Sequence, residues 1–168
     1  QLVVTEDGIR VRARSEQGLF YGLQSLKQLY RYNYRMDHTQ YQRVEIPCMS
    51  VVDFPAMEWR GWMDDISRGP IPTMDFLKKQ IRILAEFKLN CFTLYTENTF
   101  KSQHYHYAPD DGLSAEEIRE LEAYARQYYV ELIGNQQCFA HFEKILALPE
   151  YAHLADSKCN LDPSNPAT

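Results

Sequence analysis

The segments CFTLYT (Cys91–Thr96), SAEEIRELEAYARQY (Ser114–Tyr128) and YVELI (Tyr129–Ile133) follow one another as strand, helix and strand. The first is rich in aromatic and β-branched residues, as strands are. The second opens on Ser114-x-x-Glu117, a capping box, and places Ile118, Leu121 and Ala125 on one helical face. A further strand is expected at Glu58–Met63. It is followed by a helix from Thr73 to Lys88, with Thr73 as N-cap and Leu77, Ile81, Leu84 and Lys88 in line, Phe76, Ile83 and Phe87 beside them. Strand starts near 58, 91 and 129 lie 33 and 38 residues apart. That is the period of successive βα units, so the expected sheet is parallel. A βα barrel and a doubly wound sheet both fit the spacing. No G-x-G-x-x-G follows any of these strands and no G-x-x-x-x-G-K-[ST] is present, which disfavours a dinucleotide site and excludes a P-loop.

The residues before this periodic half differ in character. Leu2–Thr5 and Ile9–Arg14 flank Glu6-Asp7-Gly8, a hairpin signal, and Ile9, Val11 and Ala13 alternate with three arginines. A helix is expected from Glu16 to Arg31, capped by Ser15, with Leu19, Leu23, Leu26 and Tyr30 as its apolar stripe. Gly18 and Gly22 on that helix would permit a close approach of another backbone. Tyr32–Gln42 reads as a polar loop. Prolines confine any strand within Val44–Phe54 to an edge, and a division between two units is expected near Pro47. The domain expectation is therefore 1–47 for the end of a small α/β unit and 48–168 for the βα units.

Composition sets outer bounds. The chain has 168 residues, 45% hydrophobic and 24% charged, with 18 lysines and arginines against 23 acids. That is a globular composition. Its net charge of −5 provides no electrostatic footprint for nucleic acid, and no basic block addresses an anionic membrane. Four scattered cysteines form no C-x-x-C; Cys91 and Cys138 are expected to be buried thiols, and the redox compartment stays open. His104-Tyr105-His106 has metal-ligand spacing but no third ligand nearby, so no metal and no cofactor is called for. The first residue is Gln1 and the last stretch, Asn160–Thr168, reads as a connection. The chain is expected to be part of a longer protein.

Ligands of parallel βα proteins sit at the carboxyl ends of the strands. Here those ends run into Asp64-Asp65-Ile66-Ser67-Arg68, Glu97-Asn98 and Asn135-Gln136-Gln137-Cys138-Phe139-Ala140-His141. All three are polar or ionisable, which a purely structural sheet does not require. Trp62, inside the first strand, is expected in the core. Tyr95, Tyr105 and Tyr107 could form an aromatic stacking wall.

The run Trp59-Arg60-Gly61-Trp62-Met63-Asp64-Asp65-Ile66-Ser67-Arg68 resembles the start of the catalytic barrel of family 20 glycoside hydrolases, the β-N-acetylhexosaminidases. Arg60-Gly61, Asp65 and Arg68 match that family's spacing, and Asp53-Phe54-Pro55 matches the Asp-x-Pro before it. Gly18–Leu26 is similar to the last helix of the small domain preceding the barrel, and Asn160–Thr168 to the segment before the fourth barrel strand. The resemblance implies an α/β fold: the first three βα units of a (β/α)8 TIM barrel, preceded by the end of a small α+β domain. It implies a retaining exo-β-N-acetylhexosaminidase that removes terminal N-acetylhexosamine from a glycan. In that family the substrate's own acetamido group attacks the anomeric carbon, an Asp orients it and the adjacent Glu protonates the leaving oxygen.

The resemblance assigns Arg60 to the sugar as anchor, with Glu97 and His141 paired over the mouth as further substrate-binding residues and Asp65 and Arg68 bracing each other beside them. The family's catalytic Asp-Glu pair is expected beyond Thr168, so residues 1–168 alone should lack the general acid and be inactive. Two departures are visible: Gln137 stands where the family usually has Asp, and Thr96-Glu97-Asn98 replaces paired aspartates. A non-catalytic carbohydrate-binding protein with a degenerate barrel is the alternative they support. Three strands of an eight-strand barrel leave an exposed edge, so the fragment is expected to self-associate.

Overall fold

The computed structural model describes residues 1–36 and 44–168. Two three-stranded sheets organise the chain, one antiparallel and one parallel.

Strands β1 (Leu2–Thr5) and β2 (Gly8–Val11) form the expected hairpin, with Thr5 opposite Gly8. Gly8 turns the chain at φ 144°, a region that disfavours side chains. Helix α1 (Glu16–Met36) opens with the Gly18 amide donating to Ser15 Oγ at 3.1 Å. It continues past Arg31, through five of the residues expected as loop; the remainder of that loop lies outside the described residues. Strand β3 (Met49–Val51) pairs antiparallel with β1, giving the order β2-β1-β3. The first sheet thus reaches beyond Pro47, where the sequence placed the division, because β3 finds its partner there.

The apolar stripe of α1 is not its buried face: Leu19, Leu23 and Tyr30 are exposed. Gly22 explains the rotation. A Cβ there would stand 2.5 Å from Val11 Cγ1, so the helix approaches the sheet along the glycine line. That turns the leucines roughly a quarter turn away, at about 100° per residue. The neighbouring faces carry Phe20, whose ring lies 5.2 Å from that of Tyr129, and Tyr21. Side chains of Lys27 and Arg31 pair with Glu86, Gln28 donates to the Glu86 carbonyl, and Lys88 reaches both Ser25 and Asp53. These contacts join the two halves.

In the second half β4 (Gly61–Asp65), β5 (Cys91–Tyr95) and β6 (Glu131–Asn135) are parallel, in that order. Helix α2 (Met74–Glu86) connects β4 to β5, α3 (Ala115–Arg126) connects β5 to β6, and the single-turn α4 (Glu143–Leu146) follows β6. Phe92 and Leu94 of β5 pack with Leu77, Ile81 and Leu84 of α2 and Leu121 and Ala125 of α3. Thr73 caps α2 and the Ser114–Glu117 capping box opens α3, as the sequence reads.

β4 and β6 begin two or three residues later than expected, for reasons visible in the backbone. Lys88 and Tyr129 adopt positive φ (61° and 55°), and Leu89 and Val130 return amide hydrogen bonds to Leu84 and Ala125. Both helices therefore end in left-handed caps, which claim Tyr129 from the strand. Before β4, the Glu58 carbonyl accepts from Asn90 Nδ2 and from Arg60, outside any ladder. Two burial expectations are corrected. Trp62 is 55% exposed because β4 is an edge strand among the described residues, and Cys138 lies exposed in the loop after β6. Cys91 is buried, and burial pushes its thiol pKa up.

Candidate functional site

Parallel register places Asp65, Tyr95 and Asn135, the last residues of β4, β5 and β6, side by side on one face of the sheet. The loops leaving these ends then converge. Asp65 Oδ1 accepts from the Ser67 amide at 2.9 Å and the Ser67 hydroxyl at 2.6 Å, while Oδ2 accepts from Arg68 Nε at 3.1 Å. Burial alone would raise the Asp65 pKa, but these three bonds and the Arg68 charge outweigh it and hold it below the ordinary value. Lys144 Nζ, on α4, donates to the Ser67 carbonyl at 2.6 Å and pins the loop from the other side.

Arg68 completes the link to the next strand. Its Nη2 stands 2.6 Å from Glu97 Oε1, outside hydrogen-bond geometry, so charge attraction makes this contact. Glu97 is 2% exposed, whereas the Arg68 side chain is half-exposed. The guanidinium also lies 5.9 Å above the centroid of the Tyr95 ring. An arginine held by Asp65, Glu97 and Tyr95 is oriented, yet its outer edge faces solvent. Its remaining N–H groups are donors for a ligand hydroxyl or carbonyl. The Tyr95 hydroxyl is kept protonated: burial raises its pKa, and the adjacent Glu97 charge adds to this.

Glu97 has φ 44°, a left-handed backbone that a residue with a Cβ adopts at a cost. Two glutamines secure it. The Glu97 amide donates to Gln137 Oε1 at 3.0 Å, and Gln136 Nε2 donates to the Glu97 carbonyl at 3.1 Å. Gln137 Nε2 in turn donates to Asn135 Oδ1 at 3.3 Å, and the Thr96 hydroxyl donates to the Asn135 carbonyl at 2.8 Å. The loop after β6 therefore aims the side chain that leaves β5.

Of the site residues expected from the sequence, Asp65, Arg68 and Glu97 come together, and the first two brace each other as anticipated. Arg60 does not join them. It sits before β4, at the opposite end of the sheet, where Nε donates to the Lys88 carbonyl at 2.9 Å and Nη1 to the Met57 carbonyl at 2.7 Å. Its guanidinium lies 5.6 Å from the Tyr21 ring centroid. It lines a cavity of about 1050 Å³ between the two halves, with Arg12, Phe54 and Lys88. His141 is exposed at φ 60°, and no hydrogen bond joins it to Glu97, whose charge partner is Arg68. Gln136 is the member that sequence reasoning did not single out; Tyr95 was read as part of a stacking wall and Gln137 as a departure from the family pattern, neither as a partner of Arg68 or Glu97. The polar run after β6 marked the place, but nothing in it distinguished a backbone clamp from a solvated loop. Among the described residues no cluster of three or more metal-ligating side chains occurs, His104 and His106 included.

Comparison with known proteins bears on the fold. Residues 1–54 match the model of glycosyl hydrolase family 20, domain 2. A beta-hexosaminidase of Akkermansia muciniphila is 36% identical over 99 residues, covering 58% of this chain and 19% of the relative. The beta-hexosaminidase subunit A1 of Dictyostelium discoideum is 27% identical over an alignment covering 99% of the chain and 34% of the relative. Among solved structures, Flavobacterium johnsoniae chitobiase superposes with a TM-score of 0.80 at 25% identity, over 99% of this chain and 27% of that one. Streptomyces plicatus N-acetyl-beta-hexosaminidase in complex with Thio-NAglucal superposes at 0.79 and 22% identity, over 99% and 38% of the two chains. Fold and matches together make the chain similar to proteins of the glycoside hydrolase class. More narrowly, the chain resembles the family 20 enzymes through the domain matched over residues 1–54, and its matched relatives are beta-hexosaminidases. It spans about a fifth to a third of the length of those curated relatives.

Proposed function

We propose that the chain from β4 onward supplies the first three βα units of a (β/α)8 barrel, and the first sheet with α1 the end of a small preceding domain, in an exo-β-N-acetylhexosaminidase. The substrate is a glycan ending in N-acetylhexosamine. The observation that carries this reading is the Asp65–Arg68–Glu97 array at the carboxyl ends of two adjacent parallel strands, β4 and β5. Arg68 donates to adjacent hydroxyls of the terminal sugar, Glu97 accepts from one of them, and Asp65 fixes the guanidinium plane. Tyr95, protonated and packed below Arg68, closes the floor.

Chemistry in this reading is substrate-assisted and retaining. The acetamido oxygen attacks the anomeric carbon as the glycosidic bond breaks, a carboxylic acid protonates the departing oxygen, and water then opens the cyclic intermediate from the same face. The Asp-Glu pair serving these steps comes from residues outside 1–168, so this chain alone binds and orients without turning over.

The test is hydrolysis of an aryl N-acetylglucosaminide by the full-length protein. Arg68→Ala is expected to lower kcat/KM about a hundredfold, the size of one or two charged hydrogen bonds to the substrate. Arg60→Ala is expected to leave kcat/KM near wild type while lowering the melting temperature. A folded full-length protein without activity overturns the enzymatic reading. Sugar binding without turnover, seen by calorimetry, would then favour a carbohydrate-binding barrel.

A further inference from the structure

We propose that the loop from Phe100 to Leu113 carries a second sugar subsite, an aromatic shelf of Tyr105 and Tyr107 that receives glycan units beyond the one held at the Arg68–Glu97 mouth. The inference rests on the hexosaminidase reading and deepens it by naming a chain of sugars, rather than a single terminal residue, as the preferred ligand.

The loop leaves β5 on the same side of the sheet as Glu97, and its base is closed. Phe100 and Leu113 form a bridge, the Lys101 amide donates to the Leu113 carbonyl at 2.8 Å, and the Leu113 amide donates to the Thr99 carbonyl at 2.8 Å. Gly112 makes the closure possible, since a Cβ there would come within 3.0 Å of the Pro109 and Thr99 carbonyl oxygens. The tip is a compact excursion tied at its ends, a loop type that often carries function.

Within it the rings are ordered by each other. Tyr105 and Tyr107 stack with centroids 6.4 Å apart and planes inclined by 19°. Tyr107 meets Tyr151 edge-on at 6.3 Å and 72°. Tyr151 follows α4, so it belongs to the segment leaving β6, and its hydroxyl oxygen accepts from the His106 amide at 3.1 Å. Two neighbouring strand-end segments thus prop one shelf.

Tyr107 and Tyr151 are half-buried and account for the packing; Tyr105 is 57% exposed and packing does not require it. Its ring stacks on Tyr107, and more than half of the residue is open to solvent. Pyranose rings with equatorial substituents present flat C–H faces to such a surface, and the tyrosine hydroxyl adds a donor and an acceptor for sugar hydroxyls. The mouth is charged and matches hydroxyl recognition, whereas the shelf is aromatic and matches ring faces. A glycan chain offers both in succession.

The experiment compares binding of N-acetylglucosamine and of its hydrolysis-resistant, thio-linked β-1,4 trimer to the full-length protein by calorimetry, with Tyr105→Ala and Tyr105→Phe beside the wild type. The wild type is expected to bind the trimer about three- to tenfold tighter than the monosaccharide, the range of one aromatic stacking contact. Tyr105→Ala should erase that gap without changing monosaccharide affinity, and Tyr105→Phe should keep most of it. If the monosaccharide binds but the trimer is no tighter, or if Tyr105→Ala leaves the gap intact, the shelf is refuted while the mouth survives. If neither sugar binds the folded wild type, the hexosaminidase reading falls and the shelf falls with it.

Discussion

Gln137→Ala removes the acceptor of the Glu97 amide, which it holds at 3.0 Å. Glu97 is 2% exposed, so water cannot take the vacated position without opening the β5 loop. A buried donor left without a partner costs about 1–3 kcal/mol. The second bond of Gln137, to Asn135 Oδ1, is long at 3.3 Å and adds little. Taking about 2 kcal/mol, and about 2–4 °C per kcal/mol for a chain of this size, the melting temperature should fall by about 4–8 °C. Circular dichroism melting at neutral pH measures it. Gln137→Glu sharpens the test, because a carboxylate still accepts from the Glu97 amide but faces the Glu97 charge. Like charges raise a carboxyl pKa, so the penalty is present at neutral pH and fades as pH falls through the carboxylate range. A Gln137→Ala protein melting within about 1 °C of wild type, or a Gln137→Glu penalty indifferent to pH, would falsify the view that Gln137 holds Glu97 in place.

Further outcomes follow from other contacts. The Asp65 carboxyl has its pKa lowered, so its stabilisation is complete above the unfolded value and lost as pH falls through the folded one. The stability difference between wild type and Asp65→Asn, followed by denaturant melts, should therefore shrink toward acid pH; a difference growing there refutes the assignment. Ser114→Ala opens the capping box of α3 and should cost about 1 kcal/mol in the same assay. Exposed Cys48 and Cys138 should be alkylated well before buried Cys91, whose thiol is also held protonated, as mass spectrometry would show. Residues 1–168 expressed alone should self-associate through the open edge of β4 and the exposed Trp59, Trp62 and Met63 beside it. A monodisperse monomer by sedimentation would count against an incomplete barrel.

Strand and helix order was legible because each element announces itself locally. Ser114-x-x-Glu117 and Thr73 mark helix starts, and CFTLY reads as nothing but a strand. The ends of α2 and α3 were not legible: Lys88 and Tyr129 take left-handed caps without being glycine, so the strands they precede were placed too early. The stripe of α1 misled because periodicity identifies an apolar face but not the partner that reaches it. Gly22 decided that, through a contact with Val11 that no local pattern contains. At the site, Asp65 and Arg68 lie three residues apart and their bond could be read from spacing. Arg60 lies just before β4 rather than within the expected strand, because β4 starts at Gly61, three residues later than the pattern suggested. Gln137 acts through a backbone amide forty residues away, and only the folded loops reveal that.

The end of α2 also has a bearing on salt. Glu86 gathers Lys27 and Arg31, and Lys88 bridges Ser25 and Asp53, so ion pairs carry much of the junction between the halves, beside the apolar contact of Phe20 with Tyr129. Partly exposed ion pairs are screened within about 3 Å at molar ionic strength, and apolar burial is not. Dilute buffer therefore favours a single cooperative unfolding transition for both halves. Concentrated salt loosens their union while sparing each interior, and the first sheet with α1 should then melt apart from the parallel sheet as a separate thermal event.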